Sequence, residues 1–269
     1  MEQRSSLGSS YERPVFVLIH SPFLGPTSWL QVAQELEHRG YCAVVPSLRG
    51  LADAAGAQWR YAVSAVRAAT SGTDAPLVLV AHGDACRMLP AIGRSVSREV
   101  LGLMFVDGCL PPEVGPGRLA SERFVERVRS LIHDGADPRA SWFRHELPRG
   151  KAGDDAVRAL MHERAPRLPL SYFHDRVPMP QDWTQGHCAY LCLSDETGGE
   201  SAARARSYGW PVAAIRGAHH LSIVTDPEAV TAVLLDLAGV LNTPISHQNT
   251  KVSLVPVAAR RGRLSATYR

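Results

Sequence analysis

The stretch VLVAHGDACR, Val78 to Arg87, decides how the chain is read. Val78 to Ala81 are apolar with no polar alternation, the pattern of a strand buried on both faces. His82 and Gly83 close the run, and DACRMLPAIGRSV (84–96) continues with helical character. A buried strand that feeds a helix through a turn of small residues is the repeating unit of a parallel sheet.

The same rhythm extends in both directions. PVFVLIH (14–20) reads as a strand, and WLQVAQELEHRG (29–40) as a helix with Trp29, Val32, Ala33 and Leu36 on one face and a stop at Gly40. YCAVVP (41–46) is a strand and GAQWRYAVSAVRAAT (56–70) a helix. VLGLMFVDG (100–108) and GHCAYLCLS (186–194) are further strands, followed by the helix GESAARARSYG (199–209), the strand WPVAAIRG (210–217) and the helix DPEAVTAVLLDLAGVL (226–241). The first strand leads into SPFLGP and not into a glycine-rich phosphate turn, which argues against a dinucleotide site.

The rhythm breaks between residues 112 and 182. This segment lacks clear strands and holds helix-like pieces, LASERFVERVRSLIHDG and GDDAVRALMHERA, among prolines and aromatics. It reads as a helical cap inserted into an α/β core made of residues 13–111 and 183–243. Residues 1–12 read as a flexible arm and 244–269 as a basic C-terminal tail.

Composition excludes several classes. No apolar run approaches the roughly 18 residues of a membrane span, and the polar N-terminus lacks the apolar region of a secretory signal; the expectation is a cytoplasmic protein. A net charge of +3, with arginines scattered along the chain, gives no nucleic-acid footprint. The five cysteines form no C-x-x-C pair, so neither a disulfide framework nor a zinc knuckle is expected. Cys42, Cys188 and Cys192 read as small buried strand residues. The histidines show no metal-ligand spacing. No metal and no cofactor is expected.

Four landmarks now stand in order: HSPFLGPTSW after the first strand, AHGDA after the third, FVDGCLPP at the end of the next, and GAHHLSIVTDPEAV before the last helix. Together they resemble an α/β-hydrolase over residues 14 to 241. The resemblance implies a shortened, mostly parallel sheet with flanking helices, lacking the family's first two strands. It also implies the place of each functional group. AHGDA stands where the family has G-x-S-x-G, which puts Gly83 at the nucleophile's position. Glycine has no side chain, so no acyl-enzyme forms there. Sliding the frame to use Asp84 as a dehalogenase-type aspartate would misplace the strand.

The family's oxyanion loop offers a backbone N–H two residues after its histidine. Here that residue is Pro22, which has none. The donor then shifts to Ser21 or Phe23, with the Asp84 N–H as second donor. The family histidine stands six residues before the aspartate of the last helix, which selects His220 by counting back from Asp226. His219 is left to support the loop or to meet the cap. The acid is Asp107, at the end of a hydrophobic strand, or Asp195 or Glu196 in a loop that reads as solvated; Asp107 is preferred because a half-buried carboxylate orients an imidazole. His20 and His82 flank the site as pocket scaffolding, and Trp142, Phe143, Tyr172 and Phe173 supply an aromatic pocket lining. Cys86 and Cys109 are offset from the line of attack and read as packing residues.

A His–Asp pair without a nucleophile can still act as a general base. It can activate a hydroxyl of a small-molecule, glycoside-like acceptor toward an acyl donor bound beside it. The resemblance implies a carrier-protein or coenzyme A thioester as donor, and Arg118, Arg123, Arg127 and Arg129 in the cap are candidates to meet its phosphate. In size and reaction type the chain is similar to the α/β-hydrolase-like acyltransferases that attach a pyrrole acyl group to aminocoumarin antibiotics. The same pair could instead run a cyclase or lyase step, or be retained in a ligand-binding pseudoenzyme.

Overall fold

The computed structural model describes residues 13–54, 58–120, 122–133, 168 and 170–241. Its centre is a six-stranded sheet with β1 at Val15–Ile19, β2 at Cys42–Val44, β3 at Leu77–His82, β4 at Val100–Val106, β7 at Cys188–Cys192 and β8 at Val212–Ala214. The strand order is β2-β1-β3-β4-β7-β8 and every pairing is parallel. The expectation of a shortened parallel sheet is met. The continuous apolar runs have a simple cause, since each face of the sheet is covered.

The alternation along β1 and β3 splits the interior in two. Val15, Val17, Ile19, Leu77, Leu79 and Ala81 face a core shared with α2 (Gln58–Ala69), α3 (Leu89–Ser95) and α6 (Asp195–Ser207). Phe16, Leu18, Val78 and Val80 face the other core, shared with α1 (Leu30–His38) and α8 (Pro227–Leu241). The apolar stripes read at helical spacing, such as Val32, Ala33 and Leu36 on α1, are the faces that bury.

Some local expectations are corrected. The segment after β3 is helical as expected, but residues Gly83–Met88 form a 3-10 helix, and α3 starts only at Leu89 with Pro90 in its first turn. The SDETGGE stretch is not a loop, because α6 begins at Asp195. The 112–182 segment does contain strands. β5 (Pro116–Arg118) and β6 (Arg176–Pro178) pair antiparallel, and prolines at their ends hid them from any alternation rule. Cys42 is exposed because β2 is an edge strand, whereas Cys188 and Cys192 are buried. Helices α4 (Glu122–His133) and α5 (Leu170–His174) and the short α7 (Ser222–Thr225) complete the described α-helices, and further 3-10 turns lie at Pro26–Trp29, Arg49–Ala52 and Trp183–Gln185. The helix read at GDDAVRALMHERA, the arm 1–12 and the tail 244–269 lie outside the described residues, as do Trp142 and Phe143. Among the described residues no helix is long and apolar enough to cross a membrane.

Candidate active site

The carboxyl ends of β3 and β4, together with the loop between β8 and α7, converge on one point, where ligands bind in open parallel sheets. Asp107 follows β4 directly, and its backbone N–H still donates to Leu191 O at 2.9 Å. Its φ of +46° lies in the left-handed region, uncommon for any residue other than glycine. The carboxylate compensates. Oδ1 accepts the N–H groups of Leu193 and Ser194 at 2.9 and 2.8 Å, and Oδ2 stands 2.8 Å from His220 Nδ1. Asp107 is 1% exposed and His220 4%, so the pair is held out of water. A carboxylate on Nδ1 fixes the tautomer that carries the Nδ1 proton and directs the basic nitrogen, Nε2, forward.

Nε2 faces Gly83. A Cβ built on Gly83 would lie 3.4 Å from Nε2 and 3.3 Å from the Ser21 Cβ. Gly83 has φ +58°, a conformation that glycine adopts without strain. The turn is therefore the sharp strand-to-helix kind, with its apex aimed at the imidazole. Asp84 is the second residue of the 3-10 turn, where the first N–H groups of a helical segment have no intrahelical acceptor.

Three other histidines hold this geometry in place. His82 Nε2–H donates to the His220 carbonyl at 2.9 Å, and the two rings lie 4.3 Å apart. Burial first, and the neighbouring His220 second, hold the His82 pKa well below the ordinary histidine value, so the ring is neutral. His20 Nδ1–H donates to Ser21 O at 2.8 Å while its Nε2 accepts the Leu48 N–H at 2.9 Å, which clamps the turn after β1 to the loop after β2. Burial lowers its pKa to about 4. Both rings are fully buried, so they brace the site from behind and do not line its opening. His219 packs into its own turn: its Nδ1 accepts the Leu221 N–H and its Nε2 stands 3.3 Å from Thr225 Oγ1.

At the oxyanion loop, Ser21 is buried and its Oγ accepts the Phe23 N–H at a long 3.4 Å. The Phe23 N–H is therefore engaged by Ser21, while the Ser21 hydroxyl, an acceptor in that bond, still carries a proton to donate. Phe23 packs against Phe124, Tyr172 and Phe173 at ring separations of 5.5, 6.3 and 6.1 Å, which joins α4 and α5 to the loop after β1. Cys86 lies beneath the floor with its thiol 3.2 Å from Ala81 O, and burial pushes that thiol well up from the ordinary cysteine range. Asp195 is exposed at the start of α6, away from the pairing that Asp107 makes with His220.

Several contributors went unread in the sequence. A Cβ at Gly198, in the first turns of α6, would fall 2.5 Å from Asp107 Oδ1, so only glycine lets the helix start this close to the carboxylate. The Tyr190 hydroxyl donates to Gly108 O at 2.8 Å and props the residue after Asp107. Asp84 and Arg87 form an ion pair, Nε to Oδ1 at 3.5 Å, beside the elbow. Their i, i+3 spacing was visible but has no functional meaning until the turn is placed. Of the four arginines expected to meet a donor phosphate, Arg118 pairs with Glu122 at 2.5 Å, and Arg129 donates to His174 Nε2 at 2.8 Å. Both border a cleft of 310 Å³ that Arg176 and Phe173 also line. The side chains of Arg123 and Arg127 lie outside the described residues.

These elements define the class of protein. A model of the alpha/beta hydrolase family matches residues 16–233, and the chain belongs to that family. Solved structures of the same fold include a thermophilic esterase from Thermogutta terrifontis with malate bound (16% identity, 86% of this chain and 91% of that one, TM-score 0.66). Polyneuridine aldehyde esterase is similar at 16% identity, over 84% of this chain and all (100%) of the other, TM-score 0.66. Tomato methylketone synthase I complexed with 2-tridecanone is similar at 13% identity, over 86% and 100%, TM-score 0.57. None of the curated proteins matches the sequence.

Proposed function

We propose that this alpha/beta hydrolase-family protein transfers an acyl group from a thioester directly to a hydroxyl of a small molecule, with His220 as general base and no acyl-enzyme. The observation that carries the reading is the pairing of Asp107 Oδ2 with His220 Nδ1 at 2.8 Å, opposite a residue, Gly83, that has no side chain to acylate. In the proposed step the acceptor hydroxyl gives its proton to His220 Nε2 as its oxygen attacks the thioester carbonyl. Asp107 stabilises the imidazolium that results. The developing oxyanion takes the Asp84 N–H and the Ser21 hydroxyl, a substitute for the donor that Pro22 lacks. Collapse of the tetrahedral species expels the thiolate, which recovers the proton from His220. Charge and atoms balance without any further reagent.

A carrier-protein or coenzyme A thioester is the donor in this reading, and a pathway of secondary metabolism its setting. Family membership fits chemistry at a carbonyl. The hydrolase-like alternative differs only in using water as the acceptor. The test is intact-protein mass and product analysis after mixing with acyl thioesters, with and without alcohol acceptors. An acyl ester product with no mass gain on the protein is expected. A covalent acyl-protein adduct, or turnover unchanged in His220→Ala, would overturn the reading.

A further inference from the structure

Beside Gly83, close to the His220–Asp107 pair, three polar side chains with incomplete bonding lie within electrostatic range of one another. Asp84 and Arg87 share the 3-10 turn, and their 3.5 Å separation is longer than a well-formed charge-assisted hydrogen bond. One guanidinium nitrogen, Nη1, reaches Arg118 O at 3.4 Å. Arg87 Nε is out of solvent, and its only acceptor among the described residues is the distant Asp84 Oδ1, too poorly placed to make a full hydrogen bond. The hydroxyl of Tyr172, a residue 0% exposed, has no hydrogen-bond partner among the described residues. Asp84 and Arg87 both act on the Tyr172 phenol, and Asp84 feels both Arg87 and His220, so the three form one cluster within electrostatic range of the imidazole.

Buried donors left without acceptors cost stability, and native proteins keep few of them. A phenylalanine at position 172 would fill the same space without that cost. The rings of Phe23, Phe124 and Phe173 adjoin the cluster, packed 5.5 to 6.1 Å apart. The surroundings are thus an apolar aromatic wall that ends in one acceptor, one weakly paired donor and one unsatisfied donor.

We infer that Asp84, Arg87 and Tyr172 form a subsite for a second hydroxyl of the acceptor, which makes that acceptor a ring-borne diol or polyol and not a simple alcohol. The inference rests on the direct-transfer reading above. A hydroxyl is at once donor and acceptor. Its proton goes to an Asp84 oxygen, and its lone pairs take the Tyr172 O–H and the Arg87 Nε–H. A ligand carboxylate would face Asp84 and be repelled, and an ammonium would leave both donors unmet. The Asp84–Arg87 pair is neutral as a unit, which suits an uncharged group. The reacting hydroxyl then lies at His220, and the second one sets its orientation.

The test uses the full chain and its Tyr172→Phe variant. Equilibrium binding of catechol, resorcinol and hydroquinone is measured against phenol by ligand-observed NMR titration, together with thermal unfolding. At least one benzenediol is expected to bind about tenfold more tightly than phenol to the unmodified protein, and that preference is expected to vanish in Tyr172→Phe. The variant's Tm is expected to equal or exceed that of the parent. Equal binding of phenol and all three diols, or a preference that survives in Tyr172→Phe, would overturn the subsite. A Tm drop of more than about 3 °C would mark the hydroxyl as a structural hydrogen bond and overturn it too. Diol preference that depends on Tyr172, in a protein with no His220-dependent thioester turnover, would support the subsite and count against direct transfer.

Discussion

The floor and the roof of the site differ in how fully their polar groups are bonded. On the floor, Asp107 receives two backbone N–H groups and the His220 ring, and His82 anchors the His220 carbonyl from behind. On the roof, Asp84 and Arg87 stand 3.5 Å apart, and Tyr172 holds a buried hydroxyl with no partner among the described residues. Asp107 and His220 are held out of water, whereas the Asp84 and Arg87 side chains keep 25% and 14% exposure beside the buried Tyr172. The floor is organised before any ligand arrives, as a base must be if it is not to reorient during the reaction. The roof is organised only in part, as a recognition surface is when the ligand supplies the missing partners.

The comparison breaks first at the floor. His220→Ala is expected to lower acyl transfer by about 10²- to 10⁴-fold with the fold retained, checked by steady-state turnover and circular dichroism. The next effect comes from acid. His20 has a folded-state pKa of about 4, and that of His82 is also lowered, so between about pH 6.5 and 4 the unfolded chain binds more protons than the native one. Stability should therefore be full above pH 6.5 and fall as the pH drops toward 4. The His20 contribution alone is on the order of 3 kcal/mol, to be read from urea midpoints across that range. Gly198→Ala is expected to push Asp107 off its two N–H donors, because the new Cβ falls 2.5 Å from Oδ1. A loss of about 1–3 kcal/mol in stability should accompany reduced turnover and a changed pH–rate profile. The smallest effect is that of Gly83→Ser. Its Cβ would meet Ser21 Cβ at 3.3 Å, in a φ of +58° that favours glycine. A cost of about 1–2 kcal/mol and no gain in acyl transfer are expected, measured by thermal melts and product assays.

Much of the floor was legible in the sequence because it sits at strand ends. Buried strands of a parallel sheet read as apolar runs, and the residues at or just past their ends, His20, His82 and Asp107, are fixed by where those runs stop. His220 could be found from its distance to Asp226. The roof was not legible. Tyr172 was read only as an aromatic, since nothing in PLSYFHDR says that its hydroxyl meets a turn from another part of the chain. The α6 start was missed for a related reason: paired glycines at 198 and 199 signal a loop, and only the Asp107 carboxylate explains why one of them must be small. β5 and β6 are three residues each, too short for periodicity to register.

The His220–Asp107 hydrogen bond joins residues 113 apart in the chain, and the His82–His220 bond joins residues 138 apart. Contacts of that span close late, because the loop entropy must be met before they return any stabilisation. The imidazole is therefore oriented only when β3, β4 and the loop before α7 are already docked. A partly folded chain carries a histidine in solution and not an oriented base, so any chemistry that needs that base waits for the last long-range closure of the fold. Refolding followed by turnover should then lag behind refolding followed by helix formation.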